Sequence, residues 1–281
     1  MGGREHRFAH EAMATQFVVF VEAEERAPAA GAAQEAFALI DRLETLLSRH
    51  RPDSDLARVN AASAGQAVTV APETFDCLLL AQRTWAASGG LFDVSIGALY
   101  RVWRDAEDRP RDPSAAEIQS ALARTGLDKL SLEADGLRVR KSIDGLALDL
   151  GGIGKGYALD LAAALLRKDF GLFRTLWHSG RSTILAGDPP EGQAGWPVGQ
   201  GGRTVALTRR ALSSSGTAVR GAHVLHPHTG RPASGQARVW AYADTGAVSD
   251  AASTAAMLLD RDGRARFQAA FPDVQFVVEG E

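Results

Sequence analysis

The most restrictive stretch of this chain is a segment that runs into a cluster of glycines and leaves it as a helix. Leu146 to Leu150 reads as a strand, Gly151-Gly152-Ile153-Gly154-Lys155-Gly156 follows, and the pattern is helical from Tyr157 to Lys168. A glycine turn between a strand and a helix brings backbone amides close to whatever lies beyond the helix end. The partial positive charge of that end favours an anion such as a phosphate. The run is not a Walker A loop, because Gly156 rather than Ser or Thr follows Lys155. It also fails the dinucleotide pattern G-x-G-x-x-G, whose last place is Tyr157. On spacing alone, a tight structural turn and a ligand loop stand as equal alternatives.

The rest of the chain alternates short strands and amphipathic helices. Thr15 to Glu22 is β-branched and aromatic and predicts a strand. Phe37, Ile40, Leu43, Leu46 and Leu47 recur at helical spacing between Gln34 and Arg49, in a helix that must end before Pro52. Residues 51 to 60 read as a polar turn, and Pro72 opens a second helix through Trp85. Ser114 and Glu117 form a capping box for a third helix. Lys129 to Lys141 reads as a hairpin turning at Ala134-Asp135-Gly136. Short strands are expected near 173 to 177, 182 to 186, 203 to 208, 222 to 225, 237 to 243 and 274 to 279. A helix capped by Ser249 is expected from Asp250 to Leu259. Residues 187 to 202, rich in glycine and proline, read as a surface loop or insertion. With no internal repeat and no low-complexity linker, the expected fold class is α+β, one compact domain over 1–281 with mixed sheets flanked by helices.

Composition narrows the function classes. The 281 residues carry a net charge of -3, which leaves no basic surplus for a phosphate backbone and argues against a nucleic-acid partner. Cys77 is the only cysteine, so neither a disulfide framework nor a cysteine-rich zinc cage can form. The longest apolar run, Leu161 to Leu166, is far below the roughly 18 residues of a membrane span, and the polar start lacks a signal-peptide core. The expected location is cytoplasmic, or periplasmic if a leader has been removed.

Three constellations could carry chemistry besides capping and core packing. Asp250 and Thr254 stand four apart on one helix face, hard oxygen donors suited to Mg²⁺, although first-turn Asp and Ser usually serve as caps. His223, His226 and His228 lie within six residues, in turn-rich sequence with no cysteine or Glu-x-x-His partner, which disfavours zinc and leaves one histidine as a base. Gly90-Leu91-Phe92-Asp93 places a carboxylate after a flexible turn, and Met13 precedes the first strand. Phe92 and Met13 taken singly read as core residues.

Taken in order, these pieces resemble the ApbE family of Mg²⁺-dependent FAD:protein FMN transferases. The resemblance runs through Met13-Ala14-Thr15, the polar turn from Ser48 to Asp55 ending in Asn60, and Gly90 to Asp93. It continues through Asp149 to Tyr157, Ser215-Gly216, His223 to Pro232, and Asp250 to Thr254. It implies a T-fold-related domain and a cleft in which FAD meets Met13, His50, Leu91, Phe92, Asp93, Asp149, Lys155 and Leu225. It implies Mg²⁺ held by the backbone carbonyl of Gly152 with Asp250, Thr254 and Ser253, and His223 as the catalytic base. The implied partner is an acceptor flavoprotein with a modifiable Thr or Ser, which receives FMN while AMP leaves. Two places depart from the family pattern. His178-Ser179-Gly180-Arg181-Ser182 stands where Asn-x-Gly-Gly-Asp is usual, and His226 precedes Pro227 where Asp is usual. These departures keep two alternatives open, an FAD pyrophosphatase yielding FMN and AMP and a non-catalytic FAD-binding protein.

Overall fold

Phe17, Val19 and Val21 are fully buried along one face of strand β2 (Thr15–Ala23). That face sets the layering in the computed structural model, which describes residues 3–105, 107, 109–216, 224–233 and 238–279. The other strands of its sheet are β1 (Arg4–Ala12), β6 (Thr175–Ser179), β7 (Thr183–Ala186), β10 (Ala211–Gly216), β11 (Arg238–Ala243) and β12 (Gln275–Val278). They run β1-β2-β6-β7-β10-β11-β12, and every ladder in this sheet is antiparallel. A small sheet orders β3 (Ala67–Thr69), β5 (Arg138–Lys141) and β4 (Leu130–Glu133), and a ribbon pairs β8 (Trp196–Gln200) with β9 (Arg203–Leu207).

Period-two alternation gives the large sheet two different faces. Phe17, Val19, Trp177, Ala211 and Ala241 join the main core with helices α1 (Arg26–Leu47), α3 (Pro72–Ala87), α6 (Gly154–Asp169) and α7 (Gly246–Ala256). Leu176, Leu212 and Trp240 point the other way, onto Trp196, Val198 and Leu207 of the ribbon. Shorter helices α2 (Asp55–Ala61), α4 (Gly97–Trp103) and α5 (Ala115–Leu122) and the later α8 (Arg261–Ala270) are the other α-helices among the described residues. Among the described residues no helix is long and apolar enough to cross a membrane.

Several sequence expectations hold and several need correction. The capping box at Ser114 and Glu117, the Pro72 start and the 130–141 hairpin are present. Residues 51–60 are not all turn, because Ser54 accepts the Ala57 amide and starts α2. The helix of the first third begins at Arg26, its opening turns being alanine-rich and weakly patterned. The helix of the last third begins at Gly246 with Thr245 as its cap, and Ser249 lies inside it. Residues 187–202 are not simply a surface loop, since they supply β8 and the buried Trp196. Leu146 to Leu150 is extended but joins no ladder, its one bridge being Ala147 to Ile96. The expected strand at 222–225 falls largely outside the described residues; Leu225 makes a single bridge to Pro232. The edge strand β1, and β10, α4 and α8, went unread.

Candidate functional site

The extended segment before the glycine cluster bonds residues 94–97 on one side, Asp149 N to the Val94 carbonyl at 2.7 Å and Gly97 N to the Ala147 carbonyl at 2.9 Å, and is otherwise held by side chains. Asn60 donates its amide to the Leu148 carbonyl at 3.0 Å and accepts the Leu148 amide at 2.6 Å, reproducing the two bonds of a ladder pair. The buried Lys141 Nζ donates to the carbonyls of Asn60 at 2.8 Å and Leu146 at 3.2 Å. Burial lowers its pKa from the ordinary lysine range, with Asp144 opposing and Arg101 adding to the effect. Asp149 then closes the turn, its Oδ1 accepting the Gly151 amide at 2.8 Å while its Oδ2 lies 3.3 Å from the Arg49 guanidinium. Arg49 in turn sits 4.0 Å over the Tyr100 ring, next to the exposed His50. Lys155 Nζ donates back to the Gly151 carbonyl at 2.6 Å and stands 3.9 Å from Asp250.

Helix α7 supplies the other half of the site. Asp250 is 2% exposed; its Oδ1 accepts the Ser182 hydroxyl at 3.0 Å and its Oδ2 the Gly156 amide at 3.3 Å. The Ser253 and Thr254 hydroxyls donate to the Asp250 carbonyl at 2.9 and 3.2 Å, and both meet the Ser215 hydroxyl, at 3.0 and 3.4 Å. Gly152 closes the cluster, since a Cβ there would stand 3.2 Å from the Phe92 ring and 3.5 Å from the Thr254 hydroxyl. Gly152, Lys155, Asp250, Ser253, Thr254 and Phe92 therefore come together, with Asp149 attached through Gly151. The donors are a carboxylate, hydroxyls and a backbone carbonyl, an all-oxygen set that fits a hard cation keeping several waters. Among the described residues no three His, Cys, Asp or Glu side chains gather, so a nitrogen- or sulfur-rich centre is not built.

Two helices meet here at backbone distance. A Cβ on Gly156 would lie 2.2 Å from the Gly246 carbonyl oxygen, so α6 and α7 cross where neither carries a side chain. One turn further along α6, Asp160 accepts the amides of Gly246 at 2.6 Å and Ala247 at 2.9 Å. Burial of that carboxylate, and secondarily the charge of Asp250, pushes its pKa up to about 7 against the pull of those two bonds.

The remaining expected residues form a looser surround. Met13 and Ala14 are the two central residues of the β1–β2 turn, at φ 49° and 56°. Asn or Gly usually occupies such places, and each L side chain there costs about 1–2 kcal/mol. The turn is braced by Gly180, whose amide donates to the Gln16 carbonyl at 2.8 Å and whose missing Cβ leaves room for the Thr15 hydroxyl. The same β6–β7 turn carries Ser182 to Asp250, which ties Met13 indirectly to the cluster. Asp93 is buried, accepts the Ser95 and Leu127 amides at 2.7 and 3.1 Å, and has its pKa raised because burial outweighs those bonds. Leu91 is half-buried beside it. Leu225 packs with Ala98, Leu99 and Ala121, in an apolar cluster apart from the donors. Gly90 faces His228, whose ring lies edge-on to His226 at 5.6 Å, and burial followed by the His228 charge lowers the His226 pKa. His223 lies outside the described residues. Sequence reasoning missed the pairing of Ser182 with Asp250 and the grip of Asp160 on α7.

Comparison with known proteins bears on the family and the fold. The model of the ApbE family matches residues 13–278. An FAD:protein FMN transferase of Rhodobacter capsulatus is 32% identical over 219 residues, which is 72% of this chain and 41% of that protein. One from Klebsiella pneumoniae (strain 342) is 31% identical over 216 residues, 69% of this chain and 61% of that protein. The chain thus spans between about two fifths and three fifths of the length of these curated relatives. Among solved structures, the apo form of the Pseudomonas stutzeri flavinyl transferase ApbE superposes with a TM-score of 0.85 at 26% identity, covering 100% of this chain and 97% of that one. The Vibrio cholerae flavin transferase ApbE shares the fold at a TM-score of 0.86 and 22% identity, over 98% and 93% of the two chains.

Proposed function

The chain belongs to the ApbE family, and from that premise we propose that it transfers the FMN half of FAD to a Thr or Ser hydroxyl of an acceptor flavoprotein, with AMP as the second product. The observation that carries the reading is the all-oxygen cluster where the glycine turn, α7 and the β6–β7 turn converge. The FAD diphosphate would lie by the glycine turn near Lys155, at the positive end of α6, the amides of Gly151, Ile153, Gly154 and Gly156 being already engaged within the protein. Mg²⁺, when bound by Asp250, Ser253, Thr254 and the Gly152 carbonyl, neutralises diphosphate charge. Ser182 and the Gly156 amide hold the Asp250 carboxylate in one orientation. Met13, His50, Leu91, Phe92, Asp93, Asp149 and Leu225 line or shape the flavin and nucleotide contacts. Of these, Asp93 works through the backbone it holds, both its oxygens being engaged.

In the reaction the acceptor oxygen bonds to the phosphorus of the FMN half while the phosphoanhydride bond to AMP breaks. The proton of the hydroxyl passes to a base, assigned to His223 from its place in the sequence alone. Incubation with FAD and Mg²⁺, followed by chromatography for AMP and mass spectrometry of a co-expressed acceptor for an added FMN, tests the proposal. Absence of both would refute it and leave a binding protein. AMP with free FMN and no modified acceptor would support the pyrophosphatase reading, which Ser182 and His226 favour by standing where the family has carboxylates. We place this work in the cytoplasm, in one domain spanning the chain; cell fractionation tests the location.

A further inference from the structure

We propose that Asp160 is a positioning residue for metal binding, fixing the register of α7 against α6 and thereby the distance between the two halves of the donor set. The proposal rests on the reading of Asp250, Ser253 and Thr254 as ligands of a divalent cation. Gly152 and Lys155 are carried by the turn and first residues of α6, whereas Asp250, Ser253 and Thr254 belong to α7. The two segments are far apart in the chain, so their spacing depends on what joins the helices. On its sheet side, α7 is pinned by Ser249, whose hydroxyl donates to the Ala241 carbonyl at 2.7 Å and the Ser213 hydroxyl at 2.8 Å. These bonds, with those of Ser182 to Asp250 and of Ser215 to Ser253 and Thr254, tie α7 to the sheet and leave its freedom along α6 to be fixed elsewhere.

Asp160 removes that freedom. Its two oxygens take the Gly246 and Ala247 amides at 2.6 and 2.9 Å, two of the amides a helix start leaves without internal partners. An anion at this end also complements the helix dipole. Gly156, four residues earlier on the same face of α6, is where the helices touch, and its amide reaches Asp250 Oδ2 at 3.3 Å. One face of α6 therefore sets both the start of α7 and the aim of its one carboxylate ligand. Residues that orient a metal's ligands without touching it change affinity by about 10- to 100-fold when replaced.

Asp160→Asn keeps the shape but accepts only one amide with its single carbonyl oxygen and turns donors toward the other. Mn²⁺ binding to the whole protein, with and without FAD, is followed by electron paramagnetic resonance, beside melting curves and FAD affinity without metal. The expected result is an Mn²⁺ dissociation constant raised by about tenfold or more, with metal-free FAD affinity within about twofold of wild type. Asp160→Glu, which keeps the charge one methylene out of place, is the second variant if Asp160→Asn fails to fold, and is expected to weaken Mn²⁺ in the same direction. A folded variant that melts lower yet binds Mn²⁺ as wild type does would overturn the proposal, leaving Asp160 a stabilising cap. Wild-type protein that binds no Mn²⁺ under either condition would overturn the metal reading beneath it, an outcome distinct from the first.

Discussion

Replacing Gly156 with Ala forces the α6–α7 crossing apart, and its cost follows from the contact distances. The new Cβ would stand 2.2 Å from the Gly246 carbonyl oxygen and 2.8 Å from the Ala247 amide nitrogen, both backbone atoms that cannot swing aside. Restoring ordinary contact at 3.4 Å requires the helices to part by about 1.2 Å, which overpacking data price at about 1–3 kcal/mol. The same movement takes the Gly156 amide out of reach of Asp250 and strains the Asp160 bonds to α7, a loss of about 1.5–3 kcal/mol for bonds to charged acceptors. The gain from replacing a helical glycine offsets about 1 kcal/mol. The net of about 1.5–5 kcal/mol corresponds, at about 2–4 °C per kcal/mol for chains somewhat smaller than this one, to a melting temperature lower by about 3–20 °C. Gly154→Ala is the internal control, because a Cβ there meets only Leu150 Cβ at 3.7 Å and should stabilise by about 0.4–1 kcal/mol. Thermal unfolding by circular dichroism compares the two variants. Melting temperatures within about 2 °C of one another would refute the close-crossing argument, since helix propensity alone treats both positions alike.

Asn60→Ala should cost about 2–4 kcal/mol, because both Leu148 backbone groups lose their partner, and a urea midpoint unchanged from wild type would show that the clamp is dispensable. The Cys77 thiol, pushed up to about 12 by burial and then by the Asp76 charge, should resist a disulfide reagent at pH 8 in the folded protein and react at once in denaturant. Its linkage has a definite sign: the unfolded thiol ionises first, so from the ordinary thiol value of 9.0 toward 12 rising pH removes stability at about 1.4 kcal/mol per unit, and a Cys77→Ala chain should lack that slope. Asp250→Ala should abolish Mg²⁺-dependent AMP release from FAD and Thr254→Ala should weaken it less; wild-type rate and metal dependence in Asp250→Ala would move the metal elsewhere.

Local chemistry made part of this molecule readable in its sequence. Ser114 with Glu117, Pro72 and the β-branched and aromatic run from Thr15 to Glu22 act over a few residues, and the structure keeps them as expected. The glycine turn and the helix face shared by Asp250 and Thr254 were legible for the same reason. Elements whose pattern depends on distant partners were not. Leu146 to Leu150 has the composition of a strand but is satisfied by Asn60, Lys141 and two backbone bonds to residues 94–97 instead of a regular ladder. Trp196 lies in a glycine- and proline-rich stretch, and only the outer face of the sheet explains its burial. Nothing near Asp160 in the sequence announces that its oxygens belong to Gly246 and Ala247, and Ser182 likewise gains meaning only across the gap to Asp250.

The strand order also dictates when the molecule can take shape. Strands β1 and β2 emerge long before β6, yet β6 is the second partner of β2, with Phe17 lying opposite Ser179. A two-stranded hairpin is at best marginal by itself in water. While the chain is being synthesised, β2 therefore offers its unpaired backbone edge to solvent or to other chains until β6 emerges. Pairings this distant in sequence are slow to form because a long loop must close before any contact rewards it. Refolding from denaturant should accordingly be slow, and aggregation during expression should start at that waiting hairpin rather than at the site itself.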